Sequence, residues 1–214
     1  MTIITEIDLR ALHGSVRNQG HRPTCMAFAL SDLNGHRHRQ PAQLSAEHLY
    51  REAAGLMPGW RPGDGLDVDA ALRAVSAPGQ ALEAAAPYVA VEPTLPLTRN
   101  PYCAPLFARD YCRQLPVMGM IESALASDRS IGLVLRLTLE FFGVTADVPQ
   151  VPFSRLAIFG QSHAVIAVGV GNDSITNERH VLIRNSWGVS WGNNGHAWLP
   201  ESYILTHTLC AFGD

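Results

Sequence analysis

The chain has 214 residues and a formal net charge of −3, with 47% hydrophobic and 16% charged residues. This composition is typical of a globular protein that folds by burying a core, and it excludes long disorder and collagen-like repeats. The small net charge gives no signature for binding nucleic acid or an anionic membrane, and no run of about 18 apolar residues predicts a membrane span. All 16 basic residues are arginine, which excludes lysine Schiff-base and P-loop chemistry.

The amino-terminal residues 1–10 lack the basic stretch, apolar run and small-residue cleavage site of a secretory signal. The four cysteines show no CxxC spacing, so they indicate neither a disulfide scaffold nor a zinc site. The histidines also lack the spacing of metal ligands, and we therefore expect no metal and no cofactor. As the chain stands, the sequence favours a cytoplasmic protein, with export as an effector left open.

Helical periodicity dominates the first half of the chain. Apolar residues recur at helical spacing over residues 26–33, directly after Thr24, which can cap a helix, so Cys25 is predicted to open a helix. A second helix is predicted to begin after Ser45 and a third near Asp67.

Strand patterns dominate the second half. Prolines are dense over residues 86–116, which predicts an irregular crossing between two lobes. After a short helix near Met118, apolar runs separated by Gly and Asn turns predict strands at residues 131–137, 163–170, 180–186 and 195–199. Because helices and strands are segregated along the chain, the predicted class is α+β, with a helical lobe over about 11–100 and a β-rich lobe over about 101–214.

Three residues have the types and places that nucleophilic catalysis by a thiol requires. A thiolate is favoured at a helix N-terminus and beside an imidazolium, and Cys25 has the first by position. His163 opens an apolar strand that could hold an imidazole rigidly. Asn185 could fix the tautomer and orientation of that ring, because a neutral amide suffices when the thiolate–imidazolium pair already exists.

Four stretches in the same order along the chain resemble the papain-like cysteine peptidases, and together they span almost the whole sequence. They are residues 16–29, which include Gln-Gly-His-Arg-Pro-Thr-Cys-Met, and then 44–50, 162–169 and 184–195. The resemblance implies a two-lobed fold in which a helical lobe packs against a β-barrel-like lobe with the active-site cleft between them. It also implies a cysteine endopeptidase that hydrolyses peptide bonds through an acyl-enzyme.

Residue by residue, the resemblance implies that Cys25 is the nucleophile, His163 the general base and then acid, and Asn185 the residue that orients His163. It implies that Gln19 donates its side-chain amide to the oxyanion hole and that Trp187 shields the His–Asn hydrogen bond from water. The expected partner is a protein or peptide substrate, together with a possible regulatory protein or inhibitor, and no nucleic acid or membrane.

The resemblance is weaker at Gly63, Asp64 and Gly65, which are similar to the glycine strip on which the family aligns an extended substrate. It fails at Arg22, where the family usually has a disulfide-bonded cysteine, and this change agrees with a reducing compartment. The chain also begins at a methionine close to the usual mature start. We therefore expect a bacterial, propeptide-free branch of the family or a trimmed form.

Two other functions remain open on the sequence alone. The same Cys-His-Asn chemistry serves deamidation, transglutamination or isopeptide cleavage of a specific protein, and fold does not decide among these reactions. The chain could also be a catalytically silent binding module on a peptidase fold. The joint presence of Gln19, Cys25, His163 and Asn185 favours the active enzyme.

Overall fold

The computed structural model describes residues 2–92, 104–108 and 110–214. The chain forms two compact units. One consists of Met1–Asn18 and Arg113–Gly213, and the other of Gln19–Cys112 and Asp214. The amino-terminal segment thus belongs to the same unit as the second half of the chain.

The helical unit contains three helices, α1 (Cys25–Arg37), α2 (Ala46–Gly55) and α3 (Val68–Ser76). Helix α2 begins where predicted, because the Ser45 hydroxyl accepts a hydrogen bond from the backbone N–H of His48 at 2.8 Å. Helix α3 begins after Asp67, whose carboxylate accepts from the N–H groups of two residues in the first turn. Such caps satisfy donors that have no partner within the helix.

Helix α1 starts at Cys25 as predicted, but its cap differs from the prediction. Thr24 occupies the N-cap position, yet its side chain makes no capping hydrogen bond. Its hydroxyl lies 3.0 Å from the Tyr88 hydroxyl instead. The Thr24 side chain therefore contributes to tertiary packing and not to the capping of α1.

The other unit is built on a sheet. Its elements are β1 (Ile3–Asp8), β2 (Cys112–Gln114), α4 (Met118–Leu125), β3 (Ile131–Thr138), α5 (Leu139–Phe142), β4 (Ala157–Asp173), β5 (Arg179–Arg184), β6 (His196–Pro200), α6 (Glu201–His207) and β7 (Thr208–Gly213). The strand order is β2-β7-β3-β4-β5-β6, and β1 pairs with β4. Strands β3 and β5 both pair antiparallel with β4, which makes β4 the central strand.

The predicted strands are confirmed as β3, β4, β5 and β6, and the predicted short helix as α4. Strand β4 is longer than its predicted run because it begins at Ala157, and Gly160, Gln161 and Ser162 separate its first, largely exposed residues from the buried apolar run. Strand β1 also has a weak signal, since only two of its six residues are partly buried.

The core of the β-rich unit lies along β3 and β4. Leu133 and Leu135 on β3 and Val165 and Ala167 on β4 are almost completely buried. His163 pairs with Leu135 across these strands. The histidine is therefore anchored at the edge of a packed core, where its backbone has little freedom to move.

Candidate active site

Cys25 is the first residue of α1, and its side chain is partly exposed. The first backbone hydrogen bond of the helix runs from the N–H of Phe28 to the carbonyl of Thr24 at 3.1 Å. The unpaired N–H groups and the dipole at a helix N-terminus favour a negative charge there. This position therefore favours the thiolate form of Cys25, which is the nucleophilic form.

Gln19 is buried, at 6% exposure, and is held at both its side chain and its backbone. Its side-chain Nε2 donates to the carbonyl of Arg22 at 2.8 Å. Its own carbonyl accepts from the Tyr88 hydroxyl at 2.7 Å. We call residues 19–24 the nucleophile loop.

Arg22 carries the main electrostatic feature of the nucleophile loop. Its side chain is 1% exposed and forms ion pairs with Glu47 at 2.5 Å and with Glu92 at 2.6 Å. The guanidinium also lies 5.0 Å from the ring centres of Tyr50 and Tyr88. Desolvation is the largest single influence and opposes the charge, but the hydrogen bonds to Glu47 and Glu92, together with the negative charge of Glu47, raise the pKa of Arg22 overall. The guanidinium is therefore a permanent buried cation.

Residues 63–65, which we call the glycine segment, are exposed. Gly63 has a φ of +92°, a backbone conformation that favours glycine. The carbonyl of Asp64 accepts from the Tyr50 hydroxyl at 2.8 Å, and the carbonyl of Gly65 accepts from the Trp60 indole at 3.2 Å. Among the described residues, the N–H of Gly65 and the carbonyl of Gly63 make no hydrogen bond. An extended peptide could pair with them as with a strand edge.

In the β-rich unit, His163 and Asn185 are in direct contact. The His163 Nε2 lies 2.6 Å from the Asn185 Oδ1, and both residues are buried. Because a carbonyl oxygen only accepts, Nε2 carries the hydrogen and donates, so the neutral ring leaves Nδ1 as its proton acceptor. The same Asn185 oxygen accepts from the N–H of Ser186 at 2.8 Å, which fixes the orientation of the amide. These contacts fix the tautomer and orientation of the imidazole.

Burial decides the proton affinity of His163. Desolvation lowers the pKa of the imidazole to about 4, while the hydrogen bond to Asn185 acts in the opposite direction. The ring is therefore neutral at neutral pH unless an anion lies beside it. A neutral imidazole with a fixed tautomer is the form that can accept a proton.

An aromatic cluster covers the imidazole. The Trp187 ring lies 4.7 Å from the His163 ring, and the Phe141 ring lies 6.2 Å away. Trp187 in turn stacks on Phe142 at 5.2 Å and meets Trp191 edge to face at 5.9 Å. These rings place apolar surface beside His163, and low-dielectric surroundings strengthen a hydrogen bond.

The loop that carries Asn185 depends on a glycine. The N–H of Asn185 donates to the carbonyl of Gly195 at 2.9 Å. Gly195 has a φ of +79°, and a Cβ there would overlap the Val16 side chain. The Asn-Ser-Trp-Gly stretch is thus held against the first residues of the same unit.

The structure places the sequence-predicted site residues in two groups. His163, Asn185 and Trp187 are in contact within the β-rich unit. Gln19, Cys25 and the glycine segment belong to the helical unit, where the Pro23 carbonyl lies 3.9 Å from the position of a Cβ on Gly65. Sequence reasoning missed the partners of Arg22 and the aromatic partners Phe141 and Phe142, because none of them belongs to a local motif.

No cluster of three or more metal-ligating side chains occurs among the described residues. No helix in the described ranges has the length and apolar character needed to cross a membrane. Cys25, Cys112 and Cys210 carry thiols rather than disulfides.

Two sets of known proteins are similar to this chain. The "Cysteine proteinase" of Theileria parva is 49% identical over 45 residues, which are 21% of this chain and 10% of that protein. Cathepsin K of Gallus gallus is 35% identical over 72 residues, which are 30% of this chain and 21% of that protein. The chain thus matches only a tenth to a fifth of the length of these curated relatives.

Solved structures match over nearly the whole chain. Xylellain, a cysteine protease from Xylella fastidiosa, has a TM-score of 0.79 at 20% identity over 99% of this chain and 86% of its own. The bromelain protease from Ananas comosus, solved in complex with the E64 inhibitor, has a TM-score of 0.73 at 22% identity over 97% and 96%. At these identities the matches show the fold, and they confirm the α+β papain-like class. A family model described as "Papain family cysteine protease" matches residues 3–206, so the chain belongs to the papain family of cysteine proteases.

Proposed function

We propose that this protein is a thiol-dependent peptidase in which Cys25, His163 and Asn185 form the catalytic triad and Gln19 completes the oxyanion hole. The observation that carries the proposal is the buried 2.6 Å hydrogen bond between His163 Nε2 and Asn185 Oδ1. That bond presents Nδ1 as the proton acceptor, which is the requirement for a base that serves a thiol.

Acylation begins when the Cys25 thiol gives its proton to Nδ1 of His163 and Sγ attacks the substrate carbonyl carbon. The electron pair of the C=O bond moves to oxygen, and the oxyanion accepts hydrogen bonds from the Gln19 side chain and the Cys25 backbone N–H. Removal of one such donor typically costs about 3 kcal/mol of barrier. The C–N bond then breaks, the His163 imidazolium gives its proton to the leaving amine, and a thioester remains.

Deacylation reverses these roles with water. His163 takes a proton from the water, which attacks the thioester carbon. The C–S bond then breaks, the proton on His163 returns to the leaving sulfur, and the carboxylic acid and the Cys25 thiol are released. The low pKa of His163 in its apolar surroundings favours the neutral ring that this step needs. In the resting enzyme a thiolate beside the ring would stabilise the imidazolium against desolvation.

The glycine segment is proposed to bind the substrate backbone. Gly65 offers an N–H and Gly63 a carbonyl that no described residue uses. Backbone pairing of this kind binds an extended peptide without regard to its side chains.

The test is intact-mass labelling with the epoxide inhibitor E-64, combined with turnover of a fluorogenic peptide library. Wild type is expected to gain one inhibitor mass at Cys25, Cys25→Ala none, and His163→Ala far less. Cys112→Ala is the matched control, because it removes an exposed thiol outside the proposed machinery.

The outcomes separate the alternative functions. Labelling with peptide turnover supports the peptidase. Labelling without turnover points to deamidation, transglutamination or isopeptide cleavage of a specific protein by the same residues. A folded protein that takes no label contradicts catalysis and leaves the silent binding module.

A further inference from the structure

We propose that Glu92 is a positioning residue that joins the nucleophile loop to the glycine segment, an inference that rests on the substrate-binding role proposed for that segment. One carboxylate oxygen of Glu92 binds the nucleophile loop, and the other binds the glycine segment. Oε2 accepts from the Arg22 Nε at 2.6 Å, and Oε1 accepts from the Gly63 N–H at 3.0 Å. One planar group thus bridges a side chain of the loop and a backbone amide of the segment.

Arg22 is itself held in one orientation. Glu47 of α2 binds its Nη1 at 2.5 Å, and the carbonyl of Val89 accepts from the same nitrogen. The rings of Tyr50 and Tyr88 flank the guanidinium. Because the guanidinium is planar and buried, these contacts leave Nε pointing in one direction, and Glu92 takes its position from it.

Tyr50 provides a second route to the same segment. Its hydroxyl donates to the Asp64 carbonyl at 2.8 Å and lies 3.3 Å from the Glu92 Oε1. The Tyr50 side chain is completely buried in α2. The glycine segment is therefore tied at two successive residues, through Gly63 to Glu92 and through Asp64 to Tyr50.

Arg22 connects this bridge to the proposed oxyanion hole. Its carbonyl accepts the Gln19 side chain at 2.8 Å, while its guanidinium holds Glu92. The same residue thus positions the donor for the reacting carbonyl and, through Glu92, the backbone that would pair with the peptide. The Gln19 amide and the glycine segment are therefore held at fixed positions relative to each other within the helical unit.

The bridge predicts a specific kinetic defect. Glu92 occupies the Gly63 N–H and leaves the N–H of Gly65 and the carbonyl of Gly63 for a substrate. Loss of the carboxylate is expected to loosen the segment without touching the thiol. Binding of extended peptides should weaken, whereas the reactivity of Cys25 toward a small electrophile should not change.

The experiment compares Glu92→Ala with Glu92→Gln, which keeps an acceptor oxygen for Gly63 but loses the charge. For Glu92→Ala we expect amide hydrogen exchange over residues 61–66 to speed up about fivefold and KM for an extended peptide to rise by a similar factor. Alkylation of Cys25 by iodoacetamide should stay within about twofold of wild type, and Glu92→Gln should lie closer to wild type in exchange. Arg51→Met is the control, because it removes a different ion pair of the same unit, the one between Arg51 and Glu47 at 2.8 Å.

Unchanged exchange over residues 61–66 in both folded Glu92 variants would overturn the proposal. So would an equal loss of alkylation and peptide turnover, because Glu92 would then support the nucleophile loop rather than the glycine segment. Hydrogen exchange decides the point even if wild type hydrolyses no peptide, so failure of the peptidase assignment stays distinguishable. If Glu92→Ala does not fold, Glu92→Gln still gives the exchange and KM comparison against Arg51→Met.

Discussion

The two groups of proposed catalytic residues are held by opposite physical means. His163 is surrounded by a neutral amide and aromatic rings, and desolvation sets its pKa. The nucleophile loop contains a buried cation, Arg22, which is paired with the carboxylates of Glu47 and Glu92. A base has to change its protonation state during the reaction, and a fixed neighbouring charge would bias that change. A loop that only has to stay in place can use permanent charges.

The largest expected effect comes from removing the buried cation of the nucleophile loop. Arg22→Met leaves Glu47 and Glu92 without their shared cation, and such a loss typically costs about 3–5 kcal/mol of folding free energy. Urea unfolding followed by circular dichroism measures it. Arg10→Met is the control, because the Arg10–Asp8 pair is largely exposed and should contribute at most about 1 kcal/mol. Equal losses in the two variants would contradict a special role for the buried cation.

The next largest effect comes from removing the neutral amide that binds His163. Asn185→Ala leaves the Nε2 hydrogen of His163 buried without its acceptor, which costs about 1–3 kcal/mol and should lower kcat/KM by roughly ten- to a hundredfold. Steady-state kinetics with a fluorogenic peptide measure the loss. Asn172→Ala removes a surface amide that binds Glu6 and should leave kcat/KM unchanged. A similar rate for both variants would mean that Asn185 does not orient the base.

The comparison also shows which parts of the site the sequence could predict. Ser45, Asp67 and the start of α1 at Cys25 follow local rules of capping and periodicity, and all three helix starts are confirmed. The Arg22–Glu92 ion pair joins residues 70 positions apart, and no local pattern announces such a pair. The resemblance marked Arg22 as a departure, but only the structure shows what the side chain binds.

The absence of a local pattern also explains why the sequence does not predict α5, α6 and β7. The aromatic cover of His163 includes Phe141 and Phe142 from the short helix α5, which has no helical period to detect. Strand β7 and helix α6 follow each other without an intervening loop, so no turn residue separates their signals. Long-range packing decided these elements, and a single sequence contains little information about it.

A smaller effect is expected from removing the aromatic ring that lies beside His163. Trp187→Leu removes aromatic contacts worth about 0.5–1.5 kcal/mol and admits water to the imidazole. The pKa of His163 should rise from about 4 toward its ordinary value of 6.5 as desolvation weakens. Proton NMR titration in a Cys25→Ala background measures this pKa without the thiolate. Trp198→Leu, elsewhere in the same unit, should not shift it, and a pKa that stays near 4 in Trp187→Leu would show that Trp187 does not dry the ring.

The last prediction concerns His196, a second buried histidine, whose surroundings are charged. Burial first, and then the nearby Arg184 cation, lower the pKa of His196 to about 4. The unfolded chain takes up a proton at about pH 6.5 and the folded one only near pH 4, so the stabilising contribution is complete above pH 6.5 and is lost as pH falls toward 4. The difference in melting temperature between wild type and His196→Gln should therefore be smaller at pH 5 than at pH 8. A constant difference between pH 8 and pH 5 would contradict the assigned shift.

The ion pairs of Arg22 also protect the thiol three residues further on. Where a disulfide braces the same loop as a nucleophilic cysteine, the thiolate can attack that disulfide and exchange with it. A guanidinium between two carboxylates offers no sulfur to attack, so Cys25 has no exchange partner at position 22. Reducing agents strong enough to keep the Cys25 thiol reduced would leave these ion pairs intact, and oxidation followed by reduction could restore the proposed nucleophile without rearranging the loop around it.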